Sequence, residues 1–420
     1  MAESTEVARR LSESHWRDRY EQLAEQVGVS AAGARPVLIS TSVDVDDIYT
    51  MTPARLRSLR SRGLSQGGLA AELALAVGRL LSEGRDGELF WDWPEGLAWL
   101  AESLGPANRV QVGGTGPQAA WALGALGAPS IMALQSRSRE QLDVLSPGIL
   151  VCRGGRMIPV HELAADAGAA PVRNEILEFP SGSALLDGPA DRFHRLIVRF
   201  SPLALERDEH FMAMQEELGP TAGAAMVAGL NGLAVSDGPS LEWVNGLLRV
   251  WRECGPALRH LELGDTTRPE DLKTIMAGLR GLNSSVGLSL SELLTLWGPS
   301  SDVAAKALQL AHGLECPCIV VHADRWSLAV HRGDPGTVKR RLMTGNLLAS
   351  ARAAAGAPCG DVAPVSYTLY GDDVPKSGPL EKGWRVDCVP APFVPSPVST
   401  IGLGDTFVGG LLLAAAMEGT

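Results

Sequence analysis

Cysteine is scarce in this chain and widely scattered: there are six in 420 residues, and only Cys316 and Cys318 lie close together. Their spacing is not that of a CxxC zinc or redox site. The thiols read as free and buried in a reducing compartment, which points to the cytosol. No strong basic run interrupts an acidic balance of 37 Lys+Arg against 48 Asp+Glu, so nucleic acid is not an expected partner. No apolar stretch reaches membrane-spanning length, and the longest candidate, near 411–417, is far too short. No basic segment followed by an apolar run opens the sequence, so no secretory signal is expected. The pattern GxxxxGK[ST] is missing, which argues against a P-loop kinase. Gly114-Thr115-Gly116 resembles a dinucleotide fingerprint only in part: the third glycine is missing and Pro117 occupies the turn. His161-Glu162 lacks the second histidine of a zincin. No internal repeat is present.

What the chain does contain is a regular alternation of strand and helix patterns. Strand signals fall at 36–41, 108–112, 130–134, 149–152, 175–179, 195–200, 224–230, 260–263, 318–322 and 326–331. Helical patterns fill many of the gaps, notably 240–256, 269–280, 302–314 and 338–355. The first 30 or so residues also read as helix, as does a glycine-interrupted region at about 54–83. Residues 42–47 read as a polar, acidic turn and 390–397 as a proline-rich loop. With 45% hydrophobic residues, the chain can build a large core and a smaller second unit. The alternation predicts an α/β sandwich with a mostly parallel sheet. The strands clustered before residue 205, with fewer helices between them, predict a smaller β-rich lid.

The sharpest local signal is Gly402-Leu403-Gly404-Asp405, followed by an apolar helical stretch. Two glycines let backbone approach a ligand closely. The first N–H groups of the following helix suit an anion such as a phosphoryl group. Asp405 would lie in the first helical turn, within reach of a substrate hydroxyl. An anion hole beside a carboxylate base is what phosphoryl transfer to an alcohol needs. A glycine turn with an Asp N-cap fits the four residues equally well, so the reading depends on what accompanies them.

Several segments accompany them in order: Ser42-Val43-Asp44 after the first strand, Gly113-Gly114 before a helix, Glu178-Phe179 at a strand end, His260-Leu261-Glu262, and Ser285-Val286-Gly287-Leu288. Together with the C-terminal GxGD, this set resembles the ADP-dependent glucokinase/phosphofructokinase family of the ribokinase-like superfamily, over about residues 36 to 415. The resemblance implies a ribokinase-like three-layer α/β/α sandwich plus a lid. The large domain would comprise about 1–48, 108–150 and 203–420, and the lid about 49–107 and 151–202. It also implies Asp405 as general base, the 402–404 backbone as anion hole, and Mg2+ held through Glu262 and Glu292. Asp44, Gly113, Gly114, Glu178, Arg192 and Arg195 would meet the sugar, and His322 would lie near the nucleotide. The implied partners are ADP as donor and a small sugar acceptor. The resemblance leaves the oligomeric state open.

Five positions depart from the family pattern: Ser42, Thr115, Asn174, His194 and Ser289 stand where amide or imidazole side chains are expected. Four of them would surround the acceptor. Pockets built on hydrogen bonds discriminate strongly through those bonds. The departures therefore bear on glucose and fructose 6-phosphate more than on phosphoryl transfer itself. Two other readings stay open at this point. One is a kinase of the same fold with a different sugar or nucleoside acceptor and possibly ATP as donor. The other is a non-catalytic protein that binds a sugar or nucleotide.

Overall fold

The computed structural model describes residues 2–418 apart from 183, 186–187, 190–192, 203 and 372–373. An 11-stranded sheet forms its centre. From Ile149–Arg153 the strands run parallel through Ser130–Met132, Val37–Ser40, Ala224–Val227, Leu258–Glu262 and Ser285–Ser289 to Cys318–His322. Antiparallel strands finish both edges: Arg156–Pro159 on one side, Trp326–His331 and Arg385–Pro390 on the other. The central strands are buried on both faces. In the first, Val37 and Ile39 pack into one apolar layer and Leu38 into the opposite one, as the two-residue period of a strand requires. Helices Ala2–Ser30, Thr115–Ala125, Pro335–Ala355 and Leu403–Ala416 cover one face. Helices Gly238–Cys254, Pro269–Gly278, Leu290–Trp297 and Val303–Gly313 cover the other. This is the expected α/β/α sandwich.

A second, five-stranded sheet runs in the order Gly87–Phe90, His194–Arg199, Val172–Phe179, Asp44–Thr50, Arg109–Gly113. Its back is closed by Pro53–Gln66, Gly68–Ser82 and Gly96–Leu104 around Leu73, Leu100 and Phe179. Its front carries Asp44, Asp46, Asn174, Glu178 and Arg195 toward the large sheet. The chain crosses from one sheet to the other within 41–43, so the site lies where the two units meet.

Sheet membership differs from the sequence boundaries in two places. Residues 44–48 and 109–113, expected in the large unit, belong to the small sheet, whereas 151–159, expected in the lid, form a hairpin on the large one. The acidic run read as a turn is strand from Asp44 onward. Carboxylates are poor strand formers by composition. Here alternate ones face a polar cleft, and pairing on both sides fixes the strand. The helical region at 54–83 breaks in two at Gly67.

Glu175 sits on the back of the small sheet, 1% exposed. Neither carboxylate oxygen has a well-formed hydrogen bond among the described residues, although Tyr49 faces it. Burial, reinforced by Asp47, pushes its carboxyl up to about 8. A carboxyl raised on folding contributes stability below its unfolded value near 4, and that contribution is lost as pH rises through the folded value. Glu175→Gln is therefore expected to melt close to wild type at pH 5 and clearly above it at pH 8. Thermal melts across that range test this, and a pH-independent gap would contradict it.

Candidate active site

Gly402 adopts a left-handed backbone (φ 68°) and caps the helix Leu403–Ala416. A residue with a Cβ is strained there. The helix is buried along nearly its whole length, because its residues are small or apolar and it packs between Thr115–Ala125 and Pro335–Ala355. The N–H groups that begin its first turn have no partner within the helix. Asp405 lies in that first turn. Burial pushes its carboxyl up, opposed by the charge of Arg352 and by the Thr115 hydroxyl.

The strand ends converge beside this turn. Glu262 closes Leu258–Glu262 and is 4% exposed. His260 Nε2 lies 2.8 Å from one of its oxygens and His322 Nε2 lies 3.2 Å from the other. His260 Nδ1 in turn meets Ser285 Oγ at 3.0 Å. Burial alone would raise the Glu262 carboxyl. The two histidines outweigh it and leave it below its usual range. For His322, the Glu262 partner outweighs burial and raises the imidazole. Its ring sits 5.0 Å from that of Phe407 and beside Gly404.

Ser289 and Glu292 form a capping box. The Ser289 N–H donates to Glu292 Oε2 at 2.7 Å, and the Glu292 N–H donates to Ser289 Oγ at 3.1 Å. Serine at the departed position thus still starts the helix. Burial and the nearby Glu262 push Glu292 up to about 7, against the charge of His322. Among the described residues no cluster of three or more side chains could cage a metal ion. Glu262 and Glu292 stand near enough for Glu262 to raise Glu292, and magnesium, which keeps several waters, needs only a few carboxylates.

The lid face supplies the opposite wall. Asn174 Nδ2 donates to Asp46 Oδ1 at 2.8 Å, and Ser42 Oγ lies 3.5 Å from Asp44 Oδ2. Burial pushes Asp44 up to about 6 and Asp46 to about 7. Backbone closeness requires both preceding glycines. A Cβ on Gly113 would stand 2.1 Å from Asp46 Oδ1, and one on Gly114 (φ 88°) 2.6 Å from the Ser42 carbonyl oxygen. Further along, Arg109 donates to Glu178 at 2.9 Å and to Ser399 at 3.2 Å, while Arg195 donates to the Thr400 carbonyl at 3.0 Å. Ile48 and Ile176 pack on Ile401. The lid thus holds the segment that leads into Gly402.

A family model described as the ADP-specific phosphofructokinase/glucokinase conserved region matches residues 70–329, more than half of the chain. The chain belongs to the ADP-specific phosphofructokinase/glucokinase family. An ADP-specific phosphofructokinase of Thermococcus zilligii is 23% identical over 323 residues, 66% of this chain and 69% of that protein. An ADP-dependent kinase solved with fructose-6-phosphate and ADPbetaS superposes with a TM-score of 0.78 at 20% identity, covering 96% of this chain and 98% of the other. A hypothetical ADP-dependent phosphofructokinase from Pyrococcus horikoshii gives 0.72 at 18% identity, covering 91% and 98%. The fold is therefore that of the ribokinase-like ADP-dependent kinases, and the reaction class of the family is phosphoryl transfer from ADP to a sugar hydroxyl.

Within this family member, Asp405, Gly402, Leu403, Gly404, His322, Glu262 and Glu292 belong to strand ends and helix starts of the large sheet unit. Asp44, Gly113, Glu178 and Arg195 belong to the small sheet, and Gly114 follows its last strand. Arg192 lies outside the described residues. His194, one of the departures, shares the back of the lid with Leu196 and Val198 and meets Asp86 at 3.2 Å. It therefore does not face the acceptor pocket, because strand alternation turns it away. Sequence reading missed Asp46, Arg109 and Arg352. Alternation from Asp44 along a strand would have found Asp46. No local signal marks the two arginines.

Proposed function

We propose that this protein transfers the terminal phosphoryl group of ADP to a hydroxyl of a glucose- or fructose 6-phosphate-type sugar. The observation that carries this reading is the position of Asp405 in the first turn behind Gly402, between the strand-end carboxylates and the Asp44–Asp46–Asn174 wall. Asp405 takes the proton of the attacking hydroxyl as its oxygen bonds to phosphorus, and the bond from phosphorus to the AMP oxygen breaks. The N–H groups of the 402–405 turn face the charge on the transferring group. Glu262 and Glu292 would hold Mg2+ through water, and that ion, when bound, neutralises phosphate charge. Glu262 is kept ionised by His260 and His322, which suits that role. His322 would lie at the nucleotide side. Asp44 and Asp46 accept hydroxyl hydrogens from the sugar, and Arg195 and Glu178 set the lid against the 402–405 turn. Among the described residues no helix is long and apolar enough to cross a membrane, and Cys152, Cys254, Cys316, Cys318, Cys359 and Cys388 are free thiols. Both observations support a cytosolic setting.

One observation favours a variant of this reading. Asn174 Nδ2 is already bonded to Asp46, so where the family pattern expects imidazole the wall offers only the amide oxygen of Asn174 beside the Asp46 carboxylate. This supports an acceptor richer in free hydroxyls than fructose 6-phosphate. Initial rates with ADP or ATP against glucose, fructose 6-phosphate, other sugars and nucleosides test both. Product with ADP and a sugar is expected. Product only with ATP, or only with nucleosides, would overturn the proposal.

A further inference from the structure

Among the described residues, Arg352 is the one large charged side chain buried in the helical layer behind the 402–405 turn. It lies in the last turn of Pro335–Ala355 and is 1% exposed. Its Nη1 donates to Thr406 Oγ1 at 2.9 Å. Its guanidinium carbon stands 5.5 Å from the centre of the Trp121 ring. It also fills the space directly behind Gly402: a Cβ there would meet the guanidinium at 2.4–2.5 Å. Its Nε has no hydrogen-bond partner, and no carboxylate lies within ion-pair distance, among the described residues. Burying a guanidinium with so few partners is costly. A purely structural pin between two helices could be apolar at less cost.

We propose that Arg352 is a positioning residue of the transfer reaction: it seats the 402–405 turn from behind and supplies fixed positive charge to Asp405. This rests on the reading of Asp405 as the base. Burial draws the guanidinium down to about 10, against the charge of Asp405, so it stays a cation at neutral pH. The other charged groups that act on it are Arg195, Asp46 and Arg109. Those acting on Asp405, besides Arg352, are Arg195, Glu262, Asp46 and His322, with the Thr115 hydroxyl. Arg195 and Arg109 belong to the lid, whereas Arg352 belongs to the same rigid layer as the turn. It therefore holds its charge whether or not the lid is closed. The arrangement also gives Gly402 a second reason to be glycine, since any side chain would displace the cation.

The test uses the full chain with Arg352→Lys, Arg352→Gln and Arg352→Met. The carboxyl of Asp405 is titrated by NMR in protein labelled with 13C at aspartate, and Asp405→Asn assigns the signal. Removing the cation in R352M or R352Q is expected to move the Asp405 titration upward by about one pH unit, and R352K to restore most of it. In turnover with ADP, R352M is expected to lose about 10- to 100-fold in kcat with little change in KM for ADP, and the acid limb of the pH profile should follow the titration. A packing role alone would lower the melting temperature and leave the titration and the limb in place, and that result overturns the proposal. The titration needs no turnover. If Asp405→Asn remained active, the base assignment would fail while the effect of Arg352 on Asp405 was still measured.

Discussion

Asp405→Asn is expected to lower kcat by about 10²–10⁴-fold, the range attributed to a positioned general base, while leaving the fold intact. Asn has nearly the shape of Asp and can keep the contact with Thr115, but it cannot take a proton. Because burial raises the Asp405 carboxyl, its ionised form is a cost to the folded state at pH 7 and above. The variant should therefore melt at or above the wild-type temperature at pH 7–8. Loss of turnover together with retained or increased stability separates a chemical role from a capping role. If Asp405 were only an N-cap, the substitution would change stability and leave turnover within a few-fold. Activity and melts on the same preparation decide between them.

Gly287→Ala is expected to have the second-largest effect. A Cβ at Gly287 would stand 2.0 Å from Glu262 Oε2 and 2.7 Å from the His260 ring. Neither neighbour is a free side-chain end. Glu262 is held by two histidines, and His260 is fixed to Ser285. The glycine in Ser285–Ser289 is thus the surface on which the Glu262 carboxylate rests. Added bulk in such a place typically costs about 1–3 kcal/mol. It would also move Glu262 away from its position at the strand end. Turnover should fall by about 10²-fold or more, by analogy with losing one electrostatic group of a transfer site, and the magnesium requirement should rise. Gly246→Ala serves as control: it lies inside Gly238–Cys254 with nothing within 4 Å of its added Cβ, and a mid-helix Gly→Ala change is stabilising. A Gly287→Ala protein with wild-type rate and unchanged magnesium dependence would show that Glu262 is not needed where it stands.

The parts of this site that were legible in the sequence are those with a local cause. The 402–405 turn needs glycine and a following helix, and both are written within fifteen residues. His322 ends a strand with an apolar run, Ile319-Val320-Val321, and Glu262 is marked by the His260-Leu261-Glu262 motif at the end of its strand. Gly113 and Gly114 stand between a strand and a helix for steric reasons that no other residue meets. The less legible parts depend on partners far away in sequence. Asp44–Thr50 opens with three aspartates among its first four residues, which are poor strand formers, and it is held as a strand because Val172–Phe179 and Arg109–Gly113 pair with it. The sheet to which 149–159 belongs is set in the same way by pairing with Ser130–Met132. His194 turned out to face the lid interior because strand register, which the local motif does not specify, decides its side. Arg352 looks like any other arginine in a helix, and only the packing of Leu403–Ala416 against Pro335–Ala355 gives it a place behind the turn. The five departures also look different once placed. Ser289 preserves the helix cap and Thr115 contacts Asp405, the proposed base, so these two changes keep the local contacts there. Asn174 and Ser42, beside Asp46 and Asp44, are where acceptor choice is open.

The central claim is that this cleft moves the terminal phosphoryl group of ADP to a sugar hydroxyl with Asp405 as base. The most direct test follows ADP labelled in its β-phosphoryl group, with magnesium and a panel of sugars, in wild type and Asp405→Asn. The account predicts AMP and labelled sugar phosphate in equal amounts from the wild type, and neither above background from the variant. Label released only as inorganic phosphate, no AMP with any sugar, or equal transfer by the variant would contradict it.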